Sequence, residues 1–378
     1  MIRPIEVVHV YRDAYPPQHG GIEQHVHTLV HGLKGQAQPS VLVSGGLRGL
    51  RDDDGVPIHS VGEWGRFQGA PLSPALPFRL RGLKPHLLHF HMANPTGELS
   101  YLVSGTRRPA IATYHHDIVR QARAARVYAP FLHAFLRRVS RIIVATPQHI
   151  TSSPILPAYQ DKCRVIPYGI DLSRFQRTER VAALARELRR NLGPRLVLFV
   201  GKLRYYKGLE YLLEAMTGVE GRLLILGRGT EEARLRSRAQ TLGLGERALF
   251  LPHLEREEFV ATLHACDVFV LPSSSRMEMF GIAQLEAQAC GKPVVSTALG
   301  TGVEYVNRHG ETGLVVPPRD SAALAAALDQ LLGDPDLARE LGENGRRRAQ
   351  AEFTRERMAA DTLELYREVL AESGGPVT

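Results

Sequence analysis

Short runs of β-branched and other apolar residues alternate along the chain with stretches whose apolar positions recur every three to four residues. The short runs predict strands, and the amphipathic stretches between them, such as 22–33 and 129–139, predict helices. The predicted strands are 5–11, 40–44, 87–91, 110–114, 142–145, 196–200, 222–226, 248–251, 268–271, 293–296 and 313–316. Strands of this composition, separated by helices, are typical of parallel sheets that are covered on both faces.

This alternation is interrupted once, between Val165 and Pro194, where the segment 166–171 (Ile-Pro-Tyr-Gly-Ile-Asp) predicts a turn and hinge. A chain of 378 residues is long enough for two domains. We therefore predict an α/β protein with two Rossmann-like, doubly wound parallel-sheet domains, residues 1–170 and 171–354, facing across a cleft. We expect residues 355–378 to form a C-terminal helix that packs back on the first domain.

The composition is that of an ordinary globular protein, with 44% hydrophobic and 23% charged residues. This excludes a disordered chain, and no apolar run is long enough to span a membrane. The first ten residues lack the apolar core of a signal peptide. Three widely spaced cysteines argue against a disulfide framework, so we expect a cytoplasmic protein.

The net charge of +8 lies entirely in the first half of the chain. Residues 1–170 contain 19 Lys and Arg against 10 Asp and Glu, whereas the remainder contains 28 against 29. The densest basic stretch comprises Arg120, Arg123, Arg126, Arg137, Arg138 and Arg141. We find no signature of a nucleic-acid-binding motif. We therefore predict peripheral association with an anionic membrane surface, on the inner face of the cell membrane, against the alternative of a merely solvated basic surface.

Several glycine-containing loops follow predicted strands, at the sheet edge where open α/β sheets bind ligands. Gly20 and Gly21 precede the first helix, although paired glycines are also common in ordinary turns. The loop 201–208 (Gly-Lys-Leu-Arg-Tyr-Tyr-Lys-Gly) places cations before a helix, where they oppose the helix dipole unless an anion is bound. The loop around Gly227 lacks the third glycine of a dinucleotide fingerprint and predicts only a close approach.

The segment 273–293 is the most specific pattern in the chain. Glu278 and Glu286 are eight residues apart on either side of the Phe280-Gly281 pair. We predict that both lie on one helix, about 12 Å apart along its axis and roughly 80° apart around it. This spacing suits the two ends of one elongated ligand and is too long for a facing pair of carboxyl groups that share acid and base roles.

Histidines also follow predicted strands, at His89 and His91 and in the segment 113–117 (Thr-Tyr-His-His-Asp). Strand alternation predicts that His89 and His91 lie on one face. A zinc site that also includes His25, His27 and His31 is conceivable, but the HExxH spacing and a cysteine partner are missing, so we predict no metal site. We interpret the carboxylates of 52–54 (Asp-Asp-Asp) as part of a solvated turn.

In this order, these segments resemble the family 4 retaining glycosyltransferases of the GT-B fold, over nearly the whole chain. The resemblance implies a hexosyltransferase that needs no cofactor or metal and uses a nucleotide diphosphate sugar. Within this family the chain most resembles bacterial enzymes that build surface polysaccharides, which are often mannosyltransferases. It therefore favours GDP-mannose as donor, with a UDP-sugar as an alternative, and a saccharide or lipid-linked acceptor.

The resemblance also implies roles for individual residues. Catalysis would involve His115, Glu278 and Lys207, with Lys207 on the diphosphate, Glu278 on the sugar hydroxyls and His115 at the transfer centre. Donor-binding residues would be Gly20, Gly21, Lys202, Lys207, Gly227, Glu278, Phe280, Gly281 and Glu286, the last on the ribose. Acceptor-binding residues would be His116, Asp117 and His91. Lys202 and His116 depart from the family pattern, because an arginine is commoner at the first position and a smaller residue at the second.

The chemistry of the residues is compatible with this assignment. Lysines and helix N-termini stabilise a departing diphosphate without a metal ion. Because no carboxylate nucleophile is evident, same-face substitution, in which the departing phosphate takes the acceptor's proton, is favoured. Two alternatives remain at this stage, namely a nucleotide-sugar epimerase of the same fold and a non-catalytic, basic protein that binds sugars or nucleic acid. Transfer of the sugar would distinguish the transferase from an epimerase, which forms an epimer instead. Absence of donor turnover together with tight polyanion binding would indicate the non-catalytic protein.

Overall fold

The computed structural model describes residues 4–14, 20–67, 69–117 and 122–374. The chain divides into two compact units. Unit 1 contains residues 1–169 and 355–378, and unit 2 contains residues 170–354. The last helix thus belongs to the same unit as the first half of the chain.

Unit 1 is built on an eight-stranded sheet with the order β10-β9-β8-β7-β1-β2-β4-β3. All neighbours in this sheet are parallel except the edge hairpin of β3 and β4, and β5 and β6 form a separate small hairpin. The strands are β1 Ile5–Tyr11, β2 Ala37–Val43, β3 Gly49–Asp53, β4 Val56–Ser60, β5 Arg66–Phe67, β6 Ala70–Pro71, β7 Leu87–Met92, β8 Ala110–Tyr114, β9 Arg141–Val144 and β10 Cys163–Val165. The helices are α1 Gly21–Leu33, α2 Leu76–Gly82, α3 Pro95–Val103, α4 Ala122–Arg138, α5 Pro147–Ser152 and α14 Arg355–Glu372.

The two faces of this sheet carry different side chains. Even-numbered residues of β1 and β7, such as Val8 and Phe90, pack in one apolar cluster with Leu136 of α4. Odd-numbered residues, such as Val7 and Leu87, pack in another with α1 and α14. The C-terminal helix therefore covers the α1 face of the sheet, and ion pairs of Arg164 with Glu368 and of Arg141 with Glu372 fasten it there.

Unit 2 is built on a six-stranded, entirely parallel sheet with the order β13-β12-β11-β14-β15-β16. Its strands are β11 Leu196–Val200, β12 Arg222–Leu226, β13 Ala248–Leu251, β14 Val268–Leu271, β15 Val294–Thr297 and β16 Gly313–Val316. Its helices are α6 Glu179–Leu192, α7 Leu209–Ala215, α8 Glu232–Thr241, α9 Arg256–Ala265, α10 Ile282–Ala289, α11 Gly302–Val306, α12 Ser321–Gly333 and α13 Pro335–Glu352. The central strands are apolar at every position because helices cover both faces.

Strands predicted from apolar runs are present within two or three residues of their predicted bounds. The prediction missed the strands β3, β4, β5, β6 and β10. The segment 50–55, which we interpreted as a solvated turn, begins as strand β3, because its backbone pairs with β4 from Gly49 to Asp53. The periodicity of side chains did not reveal this strand, since β3 lies at the sheet edge and buries none of its residues fully.

Candidate active site

The loops that follow β11 and β12, at the carboxyl edge of the unit 2 sheet, are joined by backbone hydrogen bonds. The Gly201 N–H donates to the Leu226 carbonyl (3.0 Å) and the Leu203 N–H to the Arg228 carbonyl (2.9 Å). A Cβ atom at Gly227 would lie 1.9 Å from the Gly201 carbonyl oxygen. The close approach predicted at Gly227 is thus an approach to the neighbouring loop, which fixes the loop that carries Lys207.

Lys207 and Glu278 form an ion pair at this edge. The Lys207 Nζ lies 2.5 Å from the Glu278 Oε2, and about nine tenths of each side chain is buried. The Ser273 hydroxyl donates to the same carboxylate oxygen (3.0 Å), and the Thr301 hydroxyl donates to the Glu278 carbonyl (2.8 Å). Two of the three residues for which we predict catalytic roles are therefore held together by direct contact.

The charge state of this pair follows from its surroundings. Burial disfavours the charged amine of Lys207, but the Glu278 carboxylate outweighs burial, so that the pKa of Lys207 lies above its ordinary value. A cation held beside a carboxylate can stabilise a phosphate while the carboxylate accepts hydrogen bonds from hydroxyl groups. This combination matches the needs of a sugar linked to a diphosphate.

Glu278 does not lie on the helix that carries Glu286, so the spacing calculated from one continuous helix is wrong. The helix α10 begins only at Ile282, and Glu278 belongs to the preceding loop, where its N–H donates to the Ser275 carbonyl (3.1 Å). Gly281 ends this loop in the left-handed region (φ 73°). A Cβ there would also lie 2.5 Å from a methyl group of Leu271, so a side chain is excluded on both grounds.

The other predicted donor residues occupy different environments. Glu286 is buried within α10. Phe280 is also buried, with its ring 6.1 Å from that of Phe353 in an edge-to-face arrangement. Lys202 is exposed, and among the described residues its amine has no hydrogen-bond or ion-pair partner.

Gly20 and Gly21 lie in unit 1, at the start of α1. Gly20 has an extended backbone (φ −147°) and its carbonyl accepts the first hydrogen bond of the helix, from the Gln24 N–H (2.9 Å). The residues immediately before Gly20, 15–19, lie outside the described part of the chain.

The carboxyl edge of the unit 1 sheet carries a cluster of five buried histidines. Along the α1 face β1, β7 and β8 begin with apolar residues and continue with polar ones, and His9 of β1 pairs in register with His89 of β7. The rings of His89 and His91 are stacked 4.4 Å apart, which confirms that they share one face. The cluster consists of His9, His25, His89, His91 and His115.

Hydrogen bonds connect four of these histidines. The His115 Nε2 lies 3.2 Å from the His91 Nδ1, and the His91 Nε2 lies 3.0 Å from the His9 Nδ1. The Tyr366 hydroxyl of α14 lies 2.6 Å from the His89 Nδ1 and 3.4 Å from the His9 Nε2. The cluster therefore runs from the predicted transfer centre to the C-terminal helix.

These histidines are neutral at physiological pH. Burial lowers the pKa of His9 and of His25 to about 3, and burial followed by the neighbouring histidines lowers the pKa of His115 and of His91 well below the ordinary value. The His115 Nδ1 lies 2.5 Å from the Tyr168 hydroxyl. Since His91 and Tyr168 contact its two ring nitrogens, His115 can exchange protons with these neighbours but is not a cationic group.

The predicted acceptor residues follow β8 directly. The Asp117 carboxylate accepts hydrogen bonds from the hydroxyls of Tyr114 (2.6 Å) and Ser153 (2.7 Å). Burial lowers the pKa of His116, whose Nδ1 lies 3.0 Å from the Asp117 carbonyl oxygen. His91, the third predicted acceptor residue, is fully buried within the histidine cluster. The sequence analysis missed His9 and Tyr366. The alternating histidines of β7 were a visible signal for a polar cluster on this face.

Three groups of side chains in the described part of the chain have the geometry to hold a metal ion. Two belong to the buried cluster, namely His9 with His89 and His91, and His25 with His91 and His115. The third lies apart, between α1 and β3, and consists of His27, His31 and Asp53.

The fold is similar to that of solved GT-B glycosyltransferases. A sucrose-phosphate synthase from Thermosynechococcus elongatus matches with a TM-score of 0.81 and 26% sequence identity, over 97% of this chain and all of the other. The Anabaena protein HepE, solved in complex with UDP, matches with a TM-score of 0.79 at 18% identity, over 96% of this chain and all of the other. Both parallel-sheet units are thus those of the GT-B class.

Sequence comparison places the chain within one family of that class. Residues 19–174 match the model "Glycosyltransferase Family 4" and residues 182–348 the model "Glycosyl transferases group 1". The D-rhamnosyltransferase WbpZ of Pseudomonas aeruginosa is 36% identical over 93% of this chain and 92% of its own length. The O-antigen chain mannosyltransferase C of Escherichia coli is 33% identical over 97% and 99%. The chain therefore belongs to the family 4 glycosyltransferases and is an enzyme that transfers a glycosyl group, which confirms the resemblance stated from its motifs.

Proposed function

We propose that this enzyme transfers a hexose, with mannose favoured, from a nucleotide diphosphate sugar to a saccharide or lipid-linked acceptor in the synthesis of a cell-surface polysaccharide. The support is similarity over nearly the full chain to a mannosyltransferase and a rhamnosyltransferase, of which the first is named for the O-antigen chain. Within the structure, the Lys207–Glu278 pair carries the proposal, because it presents a cation and a carboxylate side by side at the ligand-binding edge of a parallel sheet.

In the proposed mechanism, Lys207 and Lys202 contact the donor diphosphate, as do the backbone groups of Gly20 and Gly21. Glu278 accepts hydrogen bonds from the transferred sugar, and Glu286 from the ribose. Gly227, Phe280 and Gly281 act by shaping the loops around these contacts. Charge that develops on the departing diphosphate is stabilised by amines already in place, so the reaction needs no metal ion.

The acceptor is proposed to bind unit 1 through His116, Asp117 and His91, with His115 at the transfer centre. Because His115 is neutral and contacts both His91 and Tyr168, it serves as a hydrogen-bonding group and not as a charged one. Its neutrality favours same-face substitution with retention, in which the departing phosphate takes the proton of the acceptor hydroxyl.

Donor identity is tested by hydrolysis without an acceptor, using a panel of GDP-, UDP- and ADP-sugars. We expect the fastest release of nucleotide diphosphate from GDP-mannose, with the same rate in the presence of EDTA. Faster hydrolysis of a UDP-sugar would show that the donor is a UDP-sugar and not GDP-mannose, and it would not change the enzyme class. Proton NMR of the transfer product, which reports the anomeric configuration, tests retention.

We also propose peripheral association of unit 1 with anionic membranes. Arg138 and Arg141 contribute less than their charge implies, because Arg138 donates to backbone carbonyls and stacks on Tyr101, and Arg141 pairs with Glu372. Arg120 lies outside the described residues. Support comes instead from exposed apolar side chains of unit 1, namely Val127 and Phe131 on α4 and Trp64 and Phe67 at the β5–β6 hairpin. In the described part of the chain, none of the helices has the length and apolarity to cross a bilayer.

The single tryptophan provides the test of this association. Trp64 is 87% exposed, so insertion into lipid should shift its fluorescence to the blue. We expect this shift with vesicles of anionic lipid at low salt and its loss as salt rises, since the Debye length is about 8 Å at physiological ionic strength. Trp64→Phe is the spectroscopic control, with sedimentation measuring its binding. Failure to bind anionic vesicles at low salt would contradict the proposal.

A further inference from the structure

Two histidines of α1 face the β3–β4 hairpin at the edge of the unit 1 sheet and lie apart from the histidine cluster. His27 and His31 are one helical turn apart, and their rings are 4.1 Å apart. Asp53, the last residue of β3, lies against them, with its Oδ2 3.3 Å from the His27 Nε2 and 3.9 Å from the His31 Nε2. Between 12% and 22% of each side chain is exposed, so the group is held by packing but open to solvent.

The hydrogen bonds of His31 define its tautomer. Its Nδ1 lies 2.8 Å from the His27 carbonyl oxygen, which can only accept, so Nδ1 carries a proton. The Nε2 of the neutral ring then presents a lone pair. Yet this nitrogen lies 3.2 Å from the Asp53 carbonyl oxygen and 3.9 Å from the Asp53 carboxylate, which are acceptors as well. Acceptors that face one another require a cation between them.

A second proton on His31 is one such cation, and a metal ion is the other. Ligand atoms about 2.1 Å from a tetrahedral metal ion are roughly 3.4 Å from one another. The separation of 3.3 Å between the His27 and Asp53 atoms matches this value, and that of 3.9 Å for His31 requires only a small movement. A histidine whose other ring nitrogen donates to a backbone carbonyl is also the usual form of a metal-binding histidine.

We propose that His27, His31 and Asp53 form a binding site for a divalent transition-metal ion. Two imidazoles and one carboxylate suit zinc, cobalt or nickel. The three ligands leave a further position for water. The nearby cation Lys34 forms an ion pair with Asp54, with its Nζ 2.9 Å from the Asp54 carboxylate. The Asp54 charge therefore offsets the repulsion between Lys34 and a metal ion.

This site departs from the sequence-based prediction that the chain binds no metal. The prediction rested on the missing HExxH spacing, whereas His27 and His31 have only the i, i+4 spacing in common with that motif. The third ligand comes from the carboxylate run 52–54, which we interpreted as a solvated turn. Its strand conformation turns Asp53 towards α1.

The site would add a link between two elements that already pack together, since Val26 and Val30 of α1 share an apolar cluster with Val56 and Ile58 of β4. α1 begins with Gly20 and Gly21 and carries His25 of the histidine cluster, whereas the β3–β4 hairpin is the edge of the sheet. A metal ion bound by both would hold the hairpin against the helix. We therefore expect a structural ion, whose occupancy changes the stability of unit 1 and does not take part in sugar transfer.

The test is titration of the EDTA-treated full-length protein with zinc alone by calorimetry, and with cobalt alone by absorption spectroscopy. His27→Gln and Asp53→Asn each remove one ligand, and His59→Gln, on β4 but outside the group, is the matched control. Circular dichroism establishes that each variant is folded, and thermal unfolding with and without zinc gives a second measurement.

We expect one equivalent of zinc to bind the wild type and the control equally, and to raise their melting temperatures. Each ligand variant should bind at least about tenfold more weakly, which is the smallest loss seen when even an outer partner of a metal ligand is removed. The proposal is overturned if zinc fails to bind, or if it binds with unchanged affinity to both ligand variants, since the ion would then occupy one of the buried histidine groups. It is also overturned if nitrogen NMR shows that His31 is doubly protonated at neutral pH and that zinc does not alter its signals.

Discussion

The two units are both built on sheets of mainly parallel strands, but different polar groups occupy the carboxyl edges of these sheets. In unit 2 this edge holds a buried ion pair, Lys207 with Glu278, in which the cation is stabilised by its partner. In unit 1 it holds the histidine cluster, which is neutral because burial lowers the pKa values of its members. Thirteen of the sixteen histidines precede residue 170, although that half carries the whole positive charge excess of the chain.

Under the proposed function, the difference follows from what each edge has to bind. A nucleotide diphosphate is an anion, and fixed cations stabilise it. An acceptor hydroxyl is neutral until it loses its proton, and neutral imidazoles and tyrosine hydroxyls can hydrogen-bond to it. The basic residues of unit 1 accordingly lie outside its histidine cluster, which is uncharged.

The largest expected effect of this difference is a selective loss of stability of unit 1 in acid. A histidine whose pKa is lowered by folding does not reduce the free energy of unfolding while the pH is above its unfolded pKa of about 6.5. As the pH falls from there towards the folded pKa, the free energy of unfolding decreases. Between pH 7.5 and 5, His9 and His25, whose pKa is about 3 in the folded state, should each cost about 2 kcal/mol, because only the unfolded state takes up a proton. The pKa values of His89, His91 and His115 are lowered in the same direction, so the total loss is a large part of the stability of a typical domain, 5–15 kcal/mol.

Hydrogen–deuterium exchange in urea, followed separately on peptides of each unit at both pH values, measures this effect. We expect unit 1 to unfold at lower urea at pH 5, and unit 2, which contains only three of the sixteen histidines, to change little. His25→Leu removes one titrating group and should reduce the pH dependence by about 2 kcal/mol. Equal losses in the two units would refute the comparison.

The next largest effect concerns the ion pair of unit 2. Lys207→Met leaves the Glu278 carboxylate buried without its partner, which typically costs about 3–5 kcal/mol of unfolding free energy. The double variant Lys207→Met/Glu278→Gln removes both charges and should recover most of that loss. Turnover should fall about 10²–10³-fold in the single variant and stay low in the double variant, because the diphosphate contact is still missing.

Urea unfolding and steady-state kinetics of the three proteins separate stability from catalysis. Arg190→Ala, which removes an exposed cation of α6 in the same unit, is the control and should leave both quantities unchanged. If the double variant regained activity together with stability, Lys207 would contribute only to folding.

How far the sequence predicts these features depends on whether they are local. The strands of both sheets and the loops that follow them were predictable, because apolar runs and glycines report on the backbone near them. The positions of Lys207 and Glu278 on adjacent loops were predictable from the parallel sheet. Their direct pairing was not, since it depends on the rotamers of residues 71 positions apart.

The errors in the prediction have the same origin. Glu278 was assigned to a helix because the surrounding residues favour one, but Gly281, in the left-handed region, delays the helix until Ile282. Tyr366 completes the histidine cluster from the far end of the chain, and its helical periodicity marks it only as a core residue. Asp53 pairs with α1 through an edge strand that has no apolar pattern.

A smaller effect distinguishes the two buried glutamates of unit 2. Glu278→Gln should lower turnover and leave the affinity for free nucleotide diphosphate nearly unchanged, because Glu278 is proposed to contact only the sugar. Glu286→Gln should weaken the binding of donor and nucleotide diphosphate alike by about 1.5–3 kcal/mol, the contribution of a hydrogen bond to a charged group. A contact that is equal in ground and transition states raises the Michaelis constant and not the barrier.

Calorimetric titration with nucleotide diphosphate, together with kinetics, tests both variants, and Glu187→Gln on the exposed face of α6 is the control. Loss of nucleotide affinity in Glu278→Gln, with normal affinity in Glu286→Gln, would show that the donor binds in the reverse direction.

The smallest effect tests whether the neutral cluster of unit 1 depends on the C-terminal helix. Tyr366→Phe keeps the ring, which is fully buried, and removes the hydroxyl that lies 2.6 Å from the His89 Nδ1. The loss should be about 1 kcal/mol, the net contribution of a typical hydrogen bond, and it should be confined to unit 1. Tyr211→Phe, at a partly buried position that packs against the core of unit 2, is the control. Exchange measured on the peptides of α14 and β7 reports the change.

Because Tyr366 also lies 3.4 Å from the His9 Nε2, the same variant should alter the ring-nitrogen NMR signals of His9 and His89. Unchanged signals would show that α14 only packs against the cluster and takes no part in its hydrogen bonds.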